Sequence, residues 1–352
     1  MTTTTGFRPG VVLKGLGAVS ALYRQAVARA PRPLTSRPGP VRHTGFDLDV
    51  VVRQRWREAD GVVGLRLAPA DGVPLPTWVP GAHIDLTLPS GRCRQYSLCG
   101  EPADRSAYRI AVRRIPGGTG SGEIHDRLAR GTPLRIRGPR NAFRLVDAPS
   151  YLFVAGGIGS TPILPMVRAC ARLGLPWRLV YLGRSRATLP FLDELAGYGG
   201  RVDVRTDDEH GPPDIADLLP SAGPGAAVYV CGPPPLMAAA YRLLQRLDPT
   251  ASLHTERFSP PPVLGGRPFD VELRRTGTTV RVAADETALA AVRRALPGVA
   301  YSCRQGFCGT CRVRVLAGEV EHRDTRLPAA DRETAMLLCV SRAARGRLVL
   351  DL

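Results

Sequence analysis

Cys303, Cys308 and Cys311 stand in the spacing C-x4-C-x2-C, and a fourth cysteine, Cys339, follows after 27 further residues. Four thiolates opening with this spacing are the ligand set of a plant-type [2Fe–2S] centre. A structural zinc more often uses two C-x2-C pairs, so the wide first gap and the distant fourth cysteine argue against it. Gly306 and Gly309 fall between the first and third of these cysteines. Glycine there lets the chain wrap closely and aim amide N–H groups at sulfur. The remaining cysteines are Cys93, Cys99, Cys170 and Cys231. Eight cysteines could form four disulfides, but a chain of 352 residues needs no staples. The pattern suits a metal site in a reducing compartment. Cys93, Cys99 and Cys170 read as small side chains in or near the core. Cys231 differs, because it ends an apolar run just before "GPPPLM".

Three further stretches could hold phosphates. "RQYSL" (94–98) offers a guanidinium fork for a phosphate, an aromatic ring and a hydroxyl, although any edge strand could read this way. "GGTGSGEIHD" (117–126) sets glycines just before a helix start, where free N–H groups favour an anion. "VAGGIGSTPILPM" (154–166) follows an apolar strand and opens a helix, with Gly156, Gly157 and Gly159 able to approach a pyrophosphate and Thr161 at the helix start. It lacks the G-x-G-x-x-G spacing of the dinucleotide fingerprint, and a tight turn without ligand is the alternative. "YVCGPPPLM" (229–237) ends another strand of the same sheet, and ligands bind outside such carboxyl ends.

The elements that must carry these residues divide the chain. Residues 1–45 are a Thr-, Pro- and Arg-rich segment, with a basic amphipathic helix expected over 11–30 and a linker over 31–40. Lys14 interrupts the apolar patch and Arg24 and Arg29 crowd its end, so no export signal is expected. Residues 46–147 hold six short alternating segments and one helix, the pattern of an antiparallel β-barrel. Residues 148–258 alternate strand and helix, an α/β unit with a parallel sheet. A linker spans 259–268, and an α+β unit fills 269–352. No apolar run is long enough to cross a membrane. The net charge is +17, with arginine far ahead of lysine, but the basic residues are spread out. No nucleic-acid-binding motif accompanies them, so nucleic acid is not an expected partner.

Motifs in this order resemble the phthalate dioxygenase reductase family, which includes the vanillate O-demethylase reductases. The matching stretches are "RQYSL", "GGTGSG", "GPRNAF", "VAGGIGSTPIL", "CGPPPLM", "HTERF", "SCRQGFCGTC", "GEVEHRD" and "CVSRAARGRLVLDL", covering about residues 45–352. The resemblance implies a β-barrel flavin domain, an α/β nicotinamide domain and a β-grasp ferredoxin-like domain. It implies FMN as flavin, usually NADH with NADPH left open by the arginines of "GRSR" (183–186), and a [2Fe–2S] cluster. Arg94, Tyr96 and Ser97 match the flavin strand, and Gly120, Ser121 and Gly122 the phosphate turn. Gln95, Ala111, Val112, Arg113 and Gly118 join the cofactor-binding set, with Arg184 at the adenosine end. Gly156, Gly157, Gly159 and Thr161 match the pyrophosphate turn, Cys231 and Gly232 the segment beside the nicotinamide, and Glu256 and Phe258 the segment near the flavin. Ser97, Thr161, Cys231 and Phe258 are the residues implied closest to the reaction, and Cys303, Cys308, Cys311 and Cys339 the iron ligands. The implied device takes two electrons from the nicotinamide and releases them singly to an oxygenase partner, a Rieske-type protein, with a haem monooxygenase as alternative. A monomer in the cytoplasm is expected. The rival reading is a non-enzymatic electron carrier or redox sensor.

Overall fold

The computed structural model describes residues 47–352 apart from 219–222, 249, 259–261, 302–303, 307–308 and 325. The helix expected over 11–30 therefore lies outside the described residues.

Six strands form the first sheet: β1 (Asp47–Ala59), β2 (Val62–Pro69), β3 (Ala82–Thr87), β4 (Cys93–Ser97), β5 (Tyr108–Arg113) and β6 (Pro133–Asn141), in the order β4-β3-β6-β1-β2-β5 with every pairing antiparallel. The period-2 pattern drives it. In β1, Leu48, Val50 and Val52 are buried while Asp47, Asp49 and Arg53 face solvent. The inward residues, with Leu65, Leu67, Ile84, Leu86, Ile110 and Ile136, fill one core. The sheet curls into a half-barrel: β4 and β5 are the two ends of the order, tied beyond β4 by the Cys99 N–H donating to the Arg109 carbonyl at 2.9 Å. Helix α1 (Thr119–Arg127) follows β5. Its buried Glu123 accepts from the Ser90 backbone N–H at 2.9 Å and from the Ser90 hydroxyl, which pins the helix to the β3–β4 turn.

The second sheet is parallel: β7 (Tyr151–Gly156), β8 (Trp177–Gly183), β9 (Val202–Thr206), β10 (Ala227–Cys231) and β11 (Ser252–Glu256), ordered β11-β10-β7-β8-β9. β10 and nearly all of β7 are buried on both faces, as continuous apolar runs in such sheets must be. Helices α2 (Ser160–Arg172), α3 (Leu192–Ala196) and α4 (Pro234–Leu247) connect them. The strand order reverses between β7 and β10, so the crevice of this sheet opens at Gly156 and Cys231.

The third sheet holds β12 (Phe269–Leu273), β13 (Thr278–Val282), β14 (Arg312–Ala317), β16 (Ala335–Leu337) and β18 (Arg347–Leu350), ordered β13-β12-β18-β14-β16 with β12 and β18 parallel. A separate pair, β15 (Val320–Glu321) and β17 (Arg342–Ala343), lies outside that sheet. Helix α5 (Ala288–Ala295) is capped by Thr287, whose hydroxyl accepts from the Ala290 N–H at 3.2 Å. This is the β-grasp arrangement that the family resemblance implies for the α+β unit.

The cores are not equivalent. One apolar cluster runs from the half-barrel (Val62, Cys99, Ala111, Phe143) into the parallel sheet (Tyr151, Phe153, Tyr229, Cys231). The third sheet has a core drawn only from residues 269–352. Among the described residues no helix is long and apolar enough to cross a membrane.

Candidate functional site

The site begins with thiols. Cys303 and Cys308 lie outside the described residues. Cys311 and Cys339 are both buried, and strand pairing brings them together. Arg312 of β14 faces Leu337 of β16, and the Leu338 N–H donates to the Cys311 carbonyl at 3.2 Å, so both cysteines lie at one end of the pair. The loop before Cys311 turns on left-handed residues: Arg304 at φ 57°, Gly306 at 82° and Gly309 at 78°. A Cβ on Gly306 would stand 2.7 Å from Val340 Cγ2, so the loop presses against the neighbour of Cys339. Left-handed turns at Arg304, Gly306 and Gly309 and two buried cysteines at one end of a strand pair fit an iron–sulfur cluster.

The flavin residues are assembled by β4 and α1. A Cβ on Gly120 would meet Arg94 Cγ and Nε at 3.0 Å, so the guanidinium lies over the helix start. Backbone N–H groups and a guanidinium there are the donors a phosphate would take. Gly118 is the residue before the helix, and the Ser121 hydroxyl accepts from the Ile115 N–H at 3.0 Å. Along β4, Arg94 and Tyr96 alternate with Cys93, Gln95 and Ser97. Tyr96 packs on the half-barrel core, and burial raises its phenol. Gln95 Nε2 is buried with no partner among the described residues, a donor that a bound ring system could satisfy. Ser97 Oγ donates to Glu256 Oε2 of β11 at 3.4 Å. The residues present therefore fit a flavin along β4.

The nucleotide turn closes on the same place. A Cβ on Gly159 would stand 2.1 Å from the Cys231 carbonyl oxygen, and one on Gly156 would stand 3.1 Å from Gly232 Cα. Only glycine permits the β7 and β10 ends to approach so closely. Thr161 is buried, and its hydroxyl donates to the Ile158 carbonyl at 2.9 Å, which stabilises the turn itself. Cys231 is fully buried; burial first, then the Glu256 charge, pushes its thiol well above the usual range, so it stays protonated. Burial lifts the Glu256 carboxyl to about 8, so it is neutral at pH 7. Phe258 is half exposed two residues further on.

Between half-barrel and parallel sheet lies a cleft of about 470 Å³ lined by Asp60, Arg113, Gly156, Gly157, Arg184 and Asp207 among others. Arg113 follows Ala111 and Val112 on β5, and a Cβ on Gly157 would stand 3.4 Å from its Nη1. Burial, then the neighbouring Arg184, lowers the Arg113 guanidinium, the sign of two cations focused on one space. Arg186, the second arginine of "GRSR", is instead paired with Glu209 at 2.7 Å.

Sequence reasoning missed the groups that fix the half-barrel on the parallel sheet. Arg109 of β5 pairs with Glu58 at 2.9 Å and Glu194 at 2.6 Å. Arg168 of α2 donates to the Cys99 and Gly100 carbonyls at 3.1 and 3.0 Å and also pairs with Glu194. It also missed Asp207, and Tyr301 against Cys93. No local signal marks them, since each depends on a partner remote in sequence.

Comparison with known proteins agrees with this geometry. A family described as a 2Fe-2S iron-sulfur cluster binding domain matches residues 271–344, which include all four cysteines. An oxidoreductase FAD-binding domain family matches residues 73–145. The chain is 42% identical to the phenoxybenzoate dioxygenase subunit beta of Ectopseudomonas oleovorans, covering 82% of this chain and 91% of that protein. The solved structure of a phthalate dioxygenase reductase superposes with TM-score 0.68 at 35% identity, over 87% of this chain and 98% of that one. An intact self-sufficient cytochrome P450 monooxygenase matches with TM-score 0.71 at 39% identity, over 92% of this chain but only 44% of that protein, so the chain spans less than half of it. The order of half-barrel, parallel sheet and β-grasp unit, the four-cysteine spacing and these relatives together show that the chain belongs to the phthalate dioxygenase and vanillate O-demethylase reductase family, oxidoreductases that pass electrons from a pyridine nucleotide through a flavin to a [2Fe–2S] cluster in oxygenase systems.

Proposed function

We propose that this chain is the NADH-dependent, FMN-containing reductase of a Rieske-type oxygenase, its cluster held by Cys303, Cys308, Cys311 and Cys339. One observation carries the route. Strand β4 meets the nucleotide sheet at one end, through Ser97 and Glu256 at 3.4 Å, and the cluster-bearing unit at the other, through Cys93 and Tyr301 at 3.6 Å. When bound, the flavin supplies two-electron uptake from the nicotinamide and one-electron release to the cluster. The chain supplies position and charge. Arg94, with the turn Gly118–Gly122, holds the phosphate. Ser97 offers its hydroxyl where the flavin ring meets the nicotinamide. Gly156, Gly157, Gly159 and Thr161 shape the pyrophosphate turn, with Arg113 and Arg184 supplying positive charge. Cys231 and Gly232 line the ring site, Glu256 remains a neutral hydrogen-bonding group beside Ser97, and Phe258 covers the ring.

NADH is favoured over NADPH because Asp207 lines the adenosine end and Glu209 occupies Arg186. A 2′-phosphate would meet a carboxylate there and find one arginine already paired. The acceptor reading rests on relatives named for phthalate and phenoxybenzoate dioxygenases. The likeness to a self-sufficient cytochrome P450 supports a second reading, in which the acceptor is a haem monooxygenase. With net charge +17 and exposed Arg326 within 4.0 Å of a Cβ placed on Gly309, an acidic docking face fits either. The test is anaerobic titration with NADH, which is expected to bleach flavin and cluster bands, with the acid-released flavin having the mass of FMN. Reduction of a purified Rieske oxygenase and of a cytochrome P450 is then compared. A colourless protein, or one that NADH leaves unbleached, defeats the proposal.

A further inference from the structure

The cluster-bearing unit does not share the apolar core that joins the other two sheets. Something else must hold it against the flavin strand. Tyr301 stands two residues before the first cluster cysteine and is buried, 4% exposed, although it begins an irregular loop. Its hydroxyl lies 3.6 Å from the Sγ of Cys93, the first residue of β4, 208 positions away in sequence. Three guanidinium groups surround its ring: Arg293 of α5 at 4.1 Å from the centroid, Arg304 of the cluster loop at 4.7 Å and Arg140 of β6 at 5.5 Å. Arg140 is fixed in turn by the buried carboxylate of Asp85 on β3, at 2.5 Å. Two of the cations thus come from the cluster unit and one from the half-barrel, and the ring is their common face. A ring–cation contact strengthens as it is withdrawn from water, and the ring here is buried with the three guanidinium groups partly so. A second link, Gln305 Nε2 donating to the Arg257 carbonyl at 3.3 Å, runs to the segment beside Phe258.

We propose that Tyr301 is a positioning residue for the electron step from flavin to cluster: its ring, shared among Arg140, Arg293 and Arg304 and set on Cys93, latches the cluster-bearing unit to the flavin strand. This rests on the reading that the flavin lies along β4 and the cluster in the 303–311 loop. The Cys93–Tyr301 contact links those two directly, one residue from Arg94 and two from Cys303. The latch acts on where the cluster sits, and not on the chemistry at the nicotinamide, which lies at the far end of β4.

The test uses the full-length holoprotein with flavin and cluster bound, in wild-type, Tyr301→Leu and Tyr301→Phe forms. Anaerobic stopped-flow mixing with NADH resolves flavin bleaching from cluster bleaching. Tyr301→Leu is expected to slow the cluster phase by about tenfold while flavin bleaching stays within about twofold, and Tyr301→Phe, which keeps the ring, to recover most of that loss. The cluster midpoint potential stays unchanged. Without any NADH, amide exchange in 93–97 and 304–306 rises together in Tyr301→Leu. Equal slowing of both phases, no slowing, unchanged exchange, or a slower cluster phase matched by a lowered midpoint potential overturns the latch. If Tyr301→Leu loads no cluster, the double variant Asp85→Asn, Arg140→Gln, made wholly in the half-barrel, must show the same split, and a wild-type cluster phase there overturns the proposal. Wild-type protein lacking flavin or cluster bands refutes the underlying reading and the latch with it. Bands that NADH bleaches with an unsplit response refute the latch alone.

Discussion

Gly159→Ala tests how closely the nucleotide crevice is built. The added Cβ would stand 2.1 Å from the Cys231 carbonyl oxygen, 2.6 Å from its carbon and 3.1 Å from the Gly232 nitrogen. All three are backbone atoms, so no side chain can swing aside. Ordinary contact begins near 3.4 Å, so the turn and the end of β10 must separate by about 1 Å. Overpacking of this kind costs about 1–3 kcal/mol of stability. The functional cost is of similar size, because a misplacement of about 1 Å at a reacting pair can reduce rate about 100-fold, equivalent to about 2.7 kcal/mol. The expected result is folded, coloured protein with a Tm lower by a few degrees. Its flavin reduction by NADH should be slower by about one to two orders of magnitude. Stopped-flow flavin bleaching over a range of NADH concentrations measures this, with Gly197→Ala as control. Gly197 has φ −63° and no atom within 4 Å of an added Cβ. A Gly159→Ala protein that reduces its flavin within about twofold of wild type would show that the turn yields freely and that the close approach does not set the nicotinamide geometry.

Three other outcomes follow from the same structure. Glu256 is neutral below about 8 and ionises above it, placing a negative charge beside Ser97 as the neighbouring site gains electrons. Flavin reduction should therefore fall as pH rises through about 8, and Glu256→Gln, which cannot ionise, should flatten that limb of the pH–rate profile. Replacing the two carboxylates, in Asp207→Asn with Glu209→Gln, should raise the NADPH to NADH ratio of kcat/KM on the order of tenfold by removing the Asp207 charge from the cleft and freeing Arg186; an unchanged ratio contradicts the assigned preference. Arg168→Ala strands the Cys99 and Gly100 carbonyls and part of Glu194. It should cost about 2–3 kcal/mol, read by calorimetry as a lower Tm.

What could be read in the chain is what is local. The cysteine spacing, the glycine motifs and the change from alternating segments to strand–helix rhythm are each set within a few tens of residues, and the folded chain carries the change of rhythm as expected. Where the outcome depends on remote partners, the sequence is silent. Alternation in β1 to β6 predicts an antiparallel barrel but cannot say that β4 and β5 end the order and leave a half-barrel. The stretch "LPFLDELAGY" (189–198) is helical only over Leu192–Ala196, because Phe191 takes a left-handed φ of 68° to bury its ring against Arg109. Arg109 itself reads as an outward strand residue. It is a seam residue only because Glu58 and Glu194, 51 positions before and 85 after it, converge there. The Cys93 contact with Tyr301 is the extreme case, invisible to any window shorter than 208 residues.

The two seams are built by different forces, and the difference follows what each must do. Hydride transfer requires reacting atoms at about 3–3.5 Å, so nicotinamide and flavin sites need relative placement that does not drift. A shared apolar core supplies this, since close-packed interiors resist small displacements. Four charged side chains, Glu58, Arg109, Arg168 and Glu194, then fix its orientation. An electron crosses a gap without the donor and acceptor touching, so the cluster-bearing unit can be held by fewer groups. Its seam is polar, centred on one aromatic ring and three cations, the kind of interface that permits relative movement. The same unit must also present its cluster to an oxygenase. Arg293 and Arg304 are engaged by Tyr301 on the flavin side, while Arg326 stays exposed beside Gly309. Positive charge therefore stands on both sides of the loop, with Arg293 and Arg304 against the ring and Arg326 outside it.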